Sequence, residues 1–427
     1  MGKRFDGLRR LFAARDFKRL LASQAMGGLG EWVATMALIT LVWDRTHSAV
    51  ASGLVLALRL LPAAILSGFL GLVVDRFDRR RVLVACTLGR ALIYGSLPLV
   101  GGVAPVLALA LVAEVGTLAY SAARDATLPR LVPRDLLSTA NGISMASTFI
   151  AMPFGSGLFA VLLWLQGLTG SRGVDLSLLA AAGLLGGATV LIGRIATDAG
   201  IIEQHENSPA TGARAGFRAV REVFAADPIL RRVALGGLVV ASLGGSLLTL
   251  GLAYVRETLE AGPAAYGVLL TTFCAGAAAG VGLLHRARSI LPRLFHVASG
   301  VMGAILLVMA IFPSAVVGYG MSFLFGGAFV ATFLGGVTIL QDRVHDAVRG
   351  RTFAMAHSSL RVGAVVVGMG AAWVAHRLGA GSVFWSMDGT QVVLAVAGLG
   401  LFLSGALLMS PRKRALVERA AHAEATA

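Results

Sequence analysis

Long apolar runs separated by short polar segments occupy most of the chain. Each run is long enough to cross a bilayer, which takes about 20 residues at a rise of 1.5 Å per residue in an α-helix. The runs fall at about 20–43, 49–74, 82–101, 105–124, 138–165, 174–197, 231–254, 263–285, 292–312, 315–341, 352–377 and 384–409. The pattern therefore predicts an all-α integral membrane protein with twelve transmembrane helices.

The longest polar interruption, at 198–230, divides these runs into six and six. Equal hydrophobic halves joined by a polar segment are typical of transporters built from repeated halves, whose binding site lies near the midplane between them. Residues before the first run alternate apolar and basic, which favours an amphipathic segment in the headgroup layer. We predict a cytoplasmic lead at 1–19, a six-helix half at 20–197, a cytoplasmic linker at 198–230, a second six-helix half at 231–411 and a cytoplasmic tail at 412–427.

The charge distribution sets the orientation. The chain is 56% hydrophobic and 14% charged, and it carries a formal net charge of +15. Such a charge can indicate nucleic-acid binding, but most of the 37 Lys and Arg residues fall in alternate connections between the runs. Cationic side chains in short connections stay on the cytoplasmic side. We therefore expect cytoplasmic N and C termini, a multi-pass location in the cytoplasmic (inner) membrane, and no nucleic-acid partner.

The densest basic cluster lies between the second and third runs. It carries Gly71, Asp75, Arg76, Arg79 and Arg80 at the spacing GxxxDRxxRR. This segment resembles the signature between helices 2 and 3 of the major facilitator superfamily. The resemblance implies that the glycine lets helices 2 and 11 approach. It also implies that the aspartate contacts the start of helix 11 near Arg351 and holds the inward side shut.

Further motifs narrow the resemblance to one branch. This branch holds the enterobactin exporter and the macrolide and tetracycline efflux pumps. Its loop between helices 4 and 5 is resembled by residues 122–124, 128–135 and 140–141. The matching loop before helix 11 is similar to residues 341–344 with 349–351. In helix 5, Pro153, Gly155 and Gly157 resemble a degenerate form of the glycine-proline motif of antiporters. The resemblance implies the major facilitator fold and an efflux function, and it does not specify a substrate.

Five ionisable residues lie deepest in the predicted spans: Glu31, Arg59, Arg90, Glu114 and Arg361. A charge near the bilayer centre costs several kcal/mol on insertion scales, so such residues are functional candidates. Counting ~1.5 Å per residue from the helix starts brings Glu31 level with Arg59, and Arg90 level with Glu114. We interpret the second pair as structural, although Glu114 also stays a candidate for proton coupling.

Glu31 is the leading candidate for a proton carrier. The resemblance implies that helix 1 lines the central cavity, and Gly27, Gly28 and Gly30 leave space around the carboxylate. Burial and a neighbouring arginine shift the proton affinity of a carboxyl group in opposite directions. A glutamate whose partner moves during transport can therefore take up and release a proton.

The remaining inventory of the predicted cavity is mostly apolar and aromatic. Its candidate residues are the aromatic Trp32 and Phe329 and the polar points Thr35, Tyr120, Asn141 and Thr249. Such a lining suits a bulky amphipathic solute better than a sugar or an inorganic ion, which needs many hydrogen-bonding groups. His285, His296, His345, His357 and His376 are scattered without metal-ligand spacing. We therefore expect no metal and no cofactor.

These observations favour proton-coupled export, by antiport, of a hydrophobic or amphipathic small molecule such as a drug or siderophore. Movement of a lysophospholipid or another lipid is the alternative within the same class. An enzyme would need a nucleophile, base or metal constellation, which the sequence does not contain, and a membrane receptor would need an appended domain. We expect a monomer whose partners are the bilayer, protons and the small-molecule substrate.

Overall fold

The computed structural model describes residues 9–74, 77–168, 174–196, 224, 227–285, 291–344, 346–379 and 387–408. In these ranges nearly every residue lies in a helix. The chain divides into two compact units, Met1–Ser208 with Gly262–Thr271 and Pro209–Ala261 with Thr272–Ala427. Residues 198–223 of the predicted linker lie outside the described ranges, so the linker stays a prediction.

The long helices of the described ranges follow the apolar runs of the sequence. They are α1 (Arg15–Thr46), α2 (Ala49–Val74), α3 (Arg79–Ser96), α4 (Val103–Leu131), α5 (Leu137–Leu168), α6 (Asp175–Gly193), α7 (Pro228–Ala253), α8 (Pro263–His285), α9 (Leu291–Ile311), α10 (Ala315–Arg343), α11 (Asp346–Leu378) and α12 (Gly389–Leu408). Short 3₁₀ turns follow α3 and precede α5, and one π-helical turn, Tyr254–Thr258, extends α7.

Ten of these helices are long and apolar enough to cross a membrane. The other two, α2 and α9, contribute shorter apolar stretches, Ala49–Ala63 and Val297–Ile311. The predicted all-helical membrane fold is therefore confirmed. The count of twelve spans and the side on which the termini lie stay predictions.

In the first unit α1 is the central helix. It packs against α5 and α6 and also touches α2 and α4, while α3 lies between α4 and α6. Eighteen residues of α1 are buried, and from Val33 to Val42 burial is continuous around the helix. A helix that is apolar on all sides belongs in the interior of a bundle. Any polar side chain on this helix must therefore find its partners within the protein.

The second unit repeats this packing order. Here α7 packs against α11 and α12 and touches α10, while α9 lies against α10 and α12. The equivalent pairs in the first unit are α1 with α5, α6 and α4, and α3 with α4 and α6. Each unit therefore surrounds its first helix in the same way, as expected for repeated halves.

The first described residues pack into the first unit. Leu11 is fully buried and Phe17 is 1% exposed, in a cluster with Leu83 and Ile192. Arg10 also forms an exposed ion pair with Asp135, at 3.2 Å. These two apolar side chains therefore contact protein, and the expected placement of this segment in the headgroup layer does not hold for them.

Polar side chains set the ends of several helices. Asp227 precedes α7, and its carboxylate accepts hydrogen bonds from the N–H groups of Ile229 at 2.7 Å and Leu230 at 3.3 Å. Such an N-cap satisfies donors that have no partner within the helix. Arg343, at the end of α10, donates to the other oxygen at 3.1 Å. Partial burial raises the pKa of Asp227, but these hydrogen bonds outweigh it and hold the pKa below its ordinary value.

We predict that Asp227→Ala lowers the free energy of unfolding by about 1 kcal/mol, the usual effect of losing an N-cap. Asp227→Asn keeps the capping oxygen and is the matched control, so it should cost less. Because the folded-state pKa is lowered, the charge stabilises the fold above the ordinary Asp pKa of about 4 and loses its effect as the pH falls further. Thermal unfolding in detergent at neutral and acidic pH measures this. A deficit of the Asn variant that does not shrink in acid would contradict the role of the charge.

Candidate functional site

Glu31 lies at the centre of a buried charge cluster in the first unit. Its carboxylate contacts two guanidinium groups, with Oε1 3.5 Å from Arg59 Nη2 and Oε2 3.4 Å from Arg90 Nη1. The three residues come from α1, α2 and α3. Depth counting along the helices predicts the contact with Arg59. The contact between Glu31 and Arg90 is not predicted from the sequence and is found only in the structure.

Two threonines form hydrogen bonds with these charged groups. The Thr117 hydroxyl donates to Glu31 Oε1 at 2.8 Å and lies 3.2 Å from Arg90 Nη1, which can donate to it. Thr35 lies one turn after Glu31 on α1, and its hydroxyl accepts a hydrogen bond from Arg59. Each carboxylate oxygen thus has an arginine at close range, and Oε1 also has a neutral donor.

Each arginine also stacks on an aromatic ring. The guanidinium carbon of Arg59 lies 4.9 Å from the centre of the Trp32 ring, and that of Arg90 lies 5.0 Å from the centre of the Tyr120 ring. An aromatic face attracts a cation, and more strongly when the pair is removed from water. These rings therefore stabilise the two positive charges without adding a negative one.

Glu114 supplies a second acid to this region. It is 8% exposed on α4, and its charge is close enough to Arg59 for the two to interact. Two carboxylates then accompany two guanidinium groups, so that the cluster of Glu31, Arg59, Arg90 and Glu114 has no net charge. Compensation of this kind is what allows charges to lie inside a membrane protein. The predicted pairing of Glu114 with Arg90 stays a prediction.

The two arginines differ in their access to solvent. The side chain of Arg90 is 3% exposed, whereas that of Arg59 is 21% exposed. A fully enclosed arginine cannot leave its carboxylate without a large electrostatic cost. Arg59 is therefore the partner that can separate from Glu31 more easily.

A second polar contact joins α1 to α5 near this cluster. The side-chain amide of Gln24 donates to the Ser144 carbonyl oxygen at 2.6 Å and to the Thr148 hydroxyl at 2.8 Å. The Ser144 hydroxyl donates back to the Gln24 amide oxygen at 2.7 Å. The pattern of the sequence predicts neither this group nor the role of Thr117. Thr117 lies one helical turn after Glu114, and this spacing is the signal that could have found it.

The basic segment that joins α2 to the start of α3 lies partly within the described residues. Arg79 donates to the Ala126 carbonyl oxygen of α4 at 3.0 Å, and Arg80 donates to the Gly193 carbonyl oxygen at the end of α6. Both arginines thus bind backbone carbonyls within the first unit. Asp75 and Arg76 lie outside the described residues, as do the side-chain surroundings of Gly71 and Arg351, so the predicted gate stays a prediction.

The other cavity candidates divide between the units. Trp32, Thr35 and Tyr120 surround the charge cluster. Asn141 is exposed on α5. In the second unit Thr249 binds the Gly368 carbonyl oxygen at 3.2 Å, and Phe329 and Arg361 are both exposed.

The motif in α5 is a point of close helix packing. A Cβ atom on Gly155 would lie 2.5 Å from the Trp32 Cβ atom and 3.0 Å from the Leu29 carbonyl oxygen. Glycine is therefore required for the present approach of α5 to α1. Pro153 lies within α5, and Gly157 faces Thr271 at ordinary contact distance. Gly155 thus holds the ring that stacks on Arg59.

Solved structures with this fold are membrane transporters. The chain superposes on a bacterial homologue of the human lysosomal transporter Spinster with a TM-score of 0.72, at 15% identity, covering 92% of this chain and 96% of that one. It superposes on the nucleoside transporter NupG with a TM-score of 0.70, at 13% identity, covering 93% of this chain and 99% of that one. At such identities the likeness shows the fold alone.

The family follows from the sequence match. The model of the transmembrane secretion effector family matches residues 11–425. The chain therefore belongs to this family of the major facilitator superfamily, as its loop motifs predict.

Individual relatives match over a shorter length. The chain is 33% identical over 167 residues to an uncharacterised MFS-type transporter of Mycobacterium tuberculosis, and this segment is 38% of each chain. It is 26% identical over 151 residues to macrolide efflux protein A of Streptococcus pyogenes, covering 34% of this chain and 37% of that one. The match thus spans less than two fifths of the length of these curated relatives.

We predict that Gly155→Ala lowers both the yield of folded protein and transport, because the new methyl group must displace the Trp32 Cβ atom or the backbone of α1. Overpacking of this kind typically costs about 1–3 kcal/mol. Gly142→Ala is the matched control, since it lies on the same helix and its Cβ atom would meet no atom within 4 Å. Thermal unfolding and transport are measured for both. Equal stability of the two variants would show that the close packing is not required.

Proposed function

We propose that the protein is a secondary active transporter that exports hydrophobic or amphipathic small molecules by exchange for protons, through alternating access. The observation that carries this proposal is the carboxylate of Glu31, buried on the central helix of the first unit between Arg59 and Arg90. Acids placed at such depth commonly mark proton relays. The arrangement supplies one group that can carry a proton and two that respond to its charge.

Protonation of Glu31 would change the balance of the cluster. The neutral acid no longer attracts Arg59 and Arg90 by charge, and Glu114 remains to compensate two guanidinium groups. Because Arg59 is the more exposed arginine, it is the one that separates first. A displacement of α2 relative to α1 would then follow from the arrival of a proton, which is the coupling that exchange requires.

Export is the direction that the relatives support. Macrolide efflux protein A is named for efflux, and the matching family is described as secretion effectors. We extend efflux to this chain as a proposal and leave the particular solute open.

We further propose twelve spans in two six-helix halves, with both termini and the linker at 198–230 in the cytoplasm. The ten clear spans and the two shorter apolar helices support this arrangement. The placement of basic residues in alternate connections supports the orientation in the cytoplasmic membrane. We expect the transporter to act as a monomer.

Reporter fusions test the topology. Fusions after Arg81, within 203–213 and at the C terminus should report the cytoplasm, because cationic connections are retained there. Insertions at 102–104 and 168–172 should report the outside. Paired alkaline phosphatase and green fluorescent protein reporters at each site provide the measurement. An external signal from 203–213 would reject the model of two six-helix halves.

Glu31→Gln tests the proton carrier. The amide retains the size of the side chain and can still accept hydrogen bonds, but it cannot exchange a proton. We expect the variant to bind substrate and to exchange it passively, while accumulation driven by a pH gradient falls to the level of passive equilibration. Reconstituted vesicles, with a substrate identified by a drug-susceptibility panel, provide the measurement.

Glu114→Gln is the matched control for this experiment. It removes the second buried carboxylate of the same cluster, so it should lower the amount of folded protein or leave coupling intact. The two variants are compared at equal protein amounts. If Glu31→Gln still accumulates substrate and Glu114→Gln does not, the proton carrier is Glu114 and the role proposed for Glu31 is wrong.

A further inference from the structure

A ladder of aromatic rings crosses the second unit. Phe325, Phe329 and Phe333 follow one another at four-residue spacing on α10, so they share one face of the helix. Phe273 of α8 lies between the first two, with its ring centre 6.2 Å from that of Phe325 and 5.7 Å from that of Phe329. Phe333 then stacks on Phe329, with ring centres 6.2 Å apart and planes 11° from parallel.

The ladder continues onto α11 through a histidine. The ring of His357 stacks on Phe333, with centres 6.1 Å apart and planes 19° from parallel. Exposure increases along the ladder, from 3% for Phe325 to 37% for Phe329 and 38% for Phe333, and His357 is exposed. The exposed end of the ladder is therefore an aromatic surface that terminates in a side chain with ring N–H groups.

Arg361 lies one helical turn after His357. It is close to the middle of α11 and is exposed. Within the described part of the chain it forms no hydrogen bond or ion pair with another residue. A bare positive charge at mid-helix differs sharply from the charge cluster of the first unit, in which each arginine contacts a carboxylate or lies near one.

The position of Arg361 around α11 separates it from the lipid-facing side. Val365, Gly368 and Ala372 follow it at spacings that keep them on the same stripe of the helix, and all three are buried. The exposed apolar residues Val366 and Trp373 lie on another side. One stripe of α11 is therefore buried from Val365 onward, whereas its earlier residues Arg361 and His357 are exposed. An exposed arginine at this depth requires water or a polar ligand, because hydrocarbon would be costly.

We propose that Phe329, Phe333, His357 and Arg361 form a binding site for the substrate, and that this substrate is an amphiphilic anion: an apolar or aromatic body that carries a carboxylate, sulfonate or phosphate group. The body stacks on Phe329 and Phe333. The anionic group accepts hydrogen bonds from the Arg361 guanidinium, next to the His357 ring.

Charge complementarity selects this chemistry. A guanidinium presents donors in a planar fork that matches carboxylate and phosphate oxygens, and charge-assisted hydrogen bonds of this kind are about twice as strong as neutral ones. A cationic solute would be repelled by the unpaired Arg361, and a neutral solute would leave its donors unsatisfied. One guanidinium beside stacked rings thus favours an anion with an apolar body over both alternatives.

This inference rests on the proposed function, since it names the class of solute that the transporter would export. It concerns binding and not coupling, so it can be tested without a proton gradient. The probes are 2-naphthoate and 2-naphthamide, which share a ring system and differ in charge. Their affinities for purified protein in phosphatidylcholine nanodiscs are measured by microscale thermophoresis, with empty nanodiscs as the correction for partitioning.

We expect the wild-type protein to bind 2-naphthoate about tenfold more tightly than 2-naphthamide. Arg361→Gln should abolish this preference by weakening naphthoate and leaving naphthamide unchanged, whereas Arg361→Lys should retain part of it. Phe333→Ala should weaken both probes alike, because it removes the stacking surface. Arg377→Gln is the matched control, since this arginine lies at the end of the same helix against Trp373 and should change neither affinity.

Three results would overturn the inference: no binding of naphthoate, equal affinities of the two probes in the wild type, or an unchanged preference in monodisperse Arg361→Gln. Nanodiscs that contain phosphatidylglycerol add a fourth. If this anionic lipid displaces naphthoate, the site binds a lipid headgroup and not a free solute. Loss of gradient-driven transport in Glu31→Gln with naphthoate binding intact bears only on the coupling mechanism.

Discussion

The cost of placing charge in a low-dielectric interior governs the first unit. Removing one partner of a buried ion pair typically destabilises a protein by about 3–5 kcal/mol. The charged side chains on α1 to α4 must therefore be present together and in contact. Glu31 meets this requirement through Arg59 and Arg90, and Thr117 supplies a further donor. The close packing of α5 on α1 then holds the Trp32 ring over Arg59. The packing of α5 on α1 and the electrostatic contacts of Arg59 are thus coupled, because both depend on the position of Trp32.

The second unit uses the same helix order for a different electrostatic purpose. Its central helix α7 packs on α11 as α1 packs on α5, yet the described part of α11 carries an exposed arginine with no acid against it. One unit therefore hides balanced charge, while the other presents a single sign of charge beside stacked rings. Repetition of the scaffold has preserved the packing and left the side chains free to take separate tasks. A transporter needs both a group that responds to an ion and a surface that recognises a solute.

Much of the fold could be predicted from the sequence, because lipid demands apolar segments of defined length and helix rise converts residue number into depth. This reasoning brings Glu31 level with Arg59. It does not predict the contact of Arg90 with Glu31, because depth says nothing about which way a side chain points around its helix or how neighbouring helices are rotated. The same limit applies to Leu11 and Phe17, since an amphipathic pattern shows that one face is apolar but not whether lipid or protein covers it. The exposed stripe around Arg361 likewise depends on tertiary packing.

The arginines at the start of α3 have a consequence for how such proteins can be altered. Arg79 and Arg80 belong to the class of residues that direct a chain's insertion, yet here they also bind the backbone carbonyls of Ala126 and Gly193. The same side chains therefore direct membrane insertion during biosynthesis and form hydrogen bonds in the folded protein. Charge reversal intended to invert the membrane orientation would also release the end of α6. A lysine would preserve the insertion signal but would lose the planar, multiple-donor group that reaches the carbonyl, so the two roles can be separated by this one exchange.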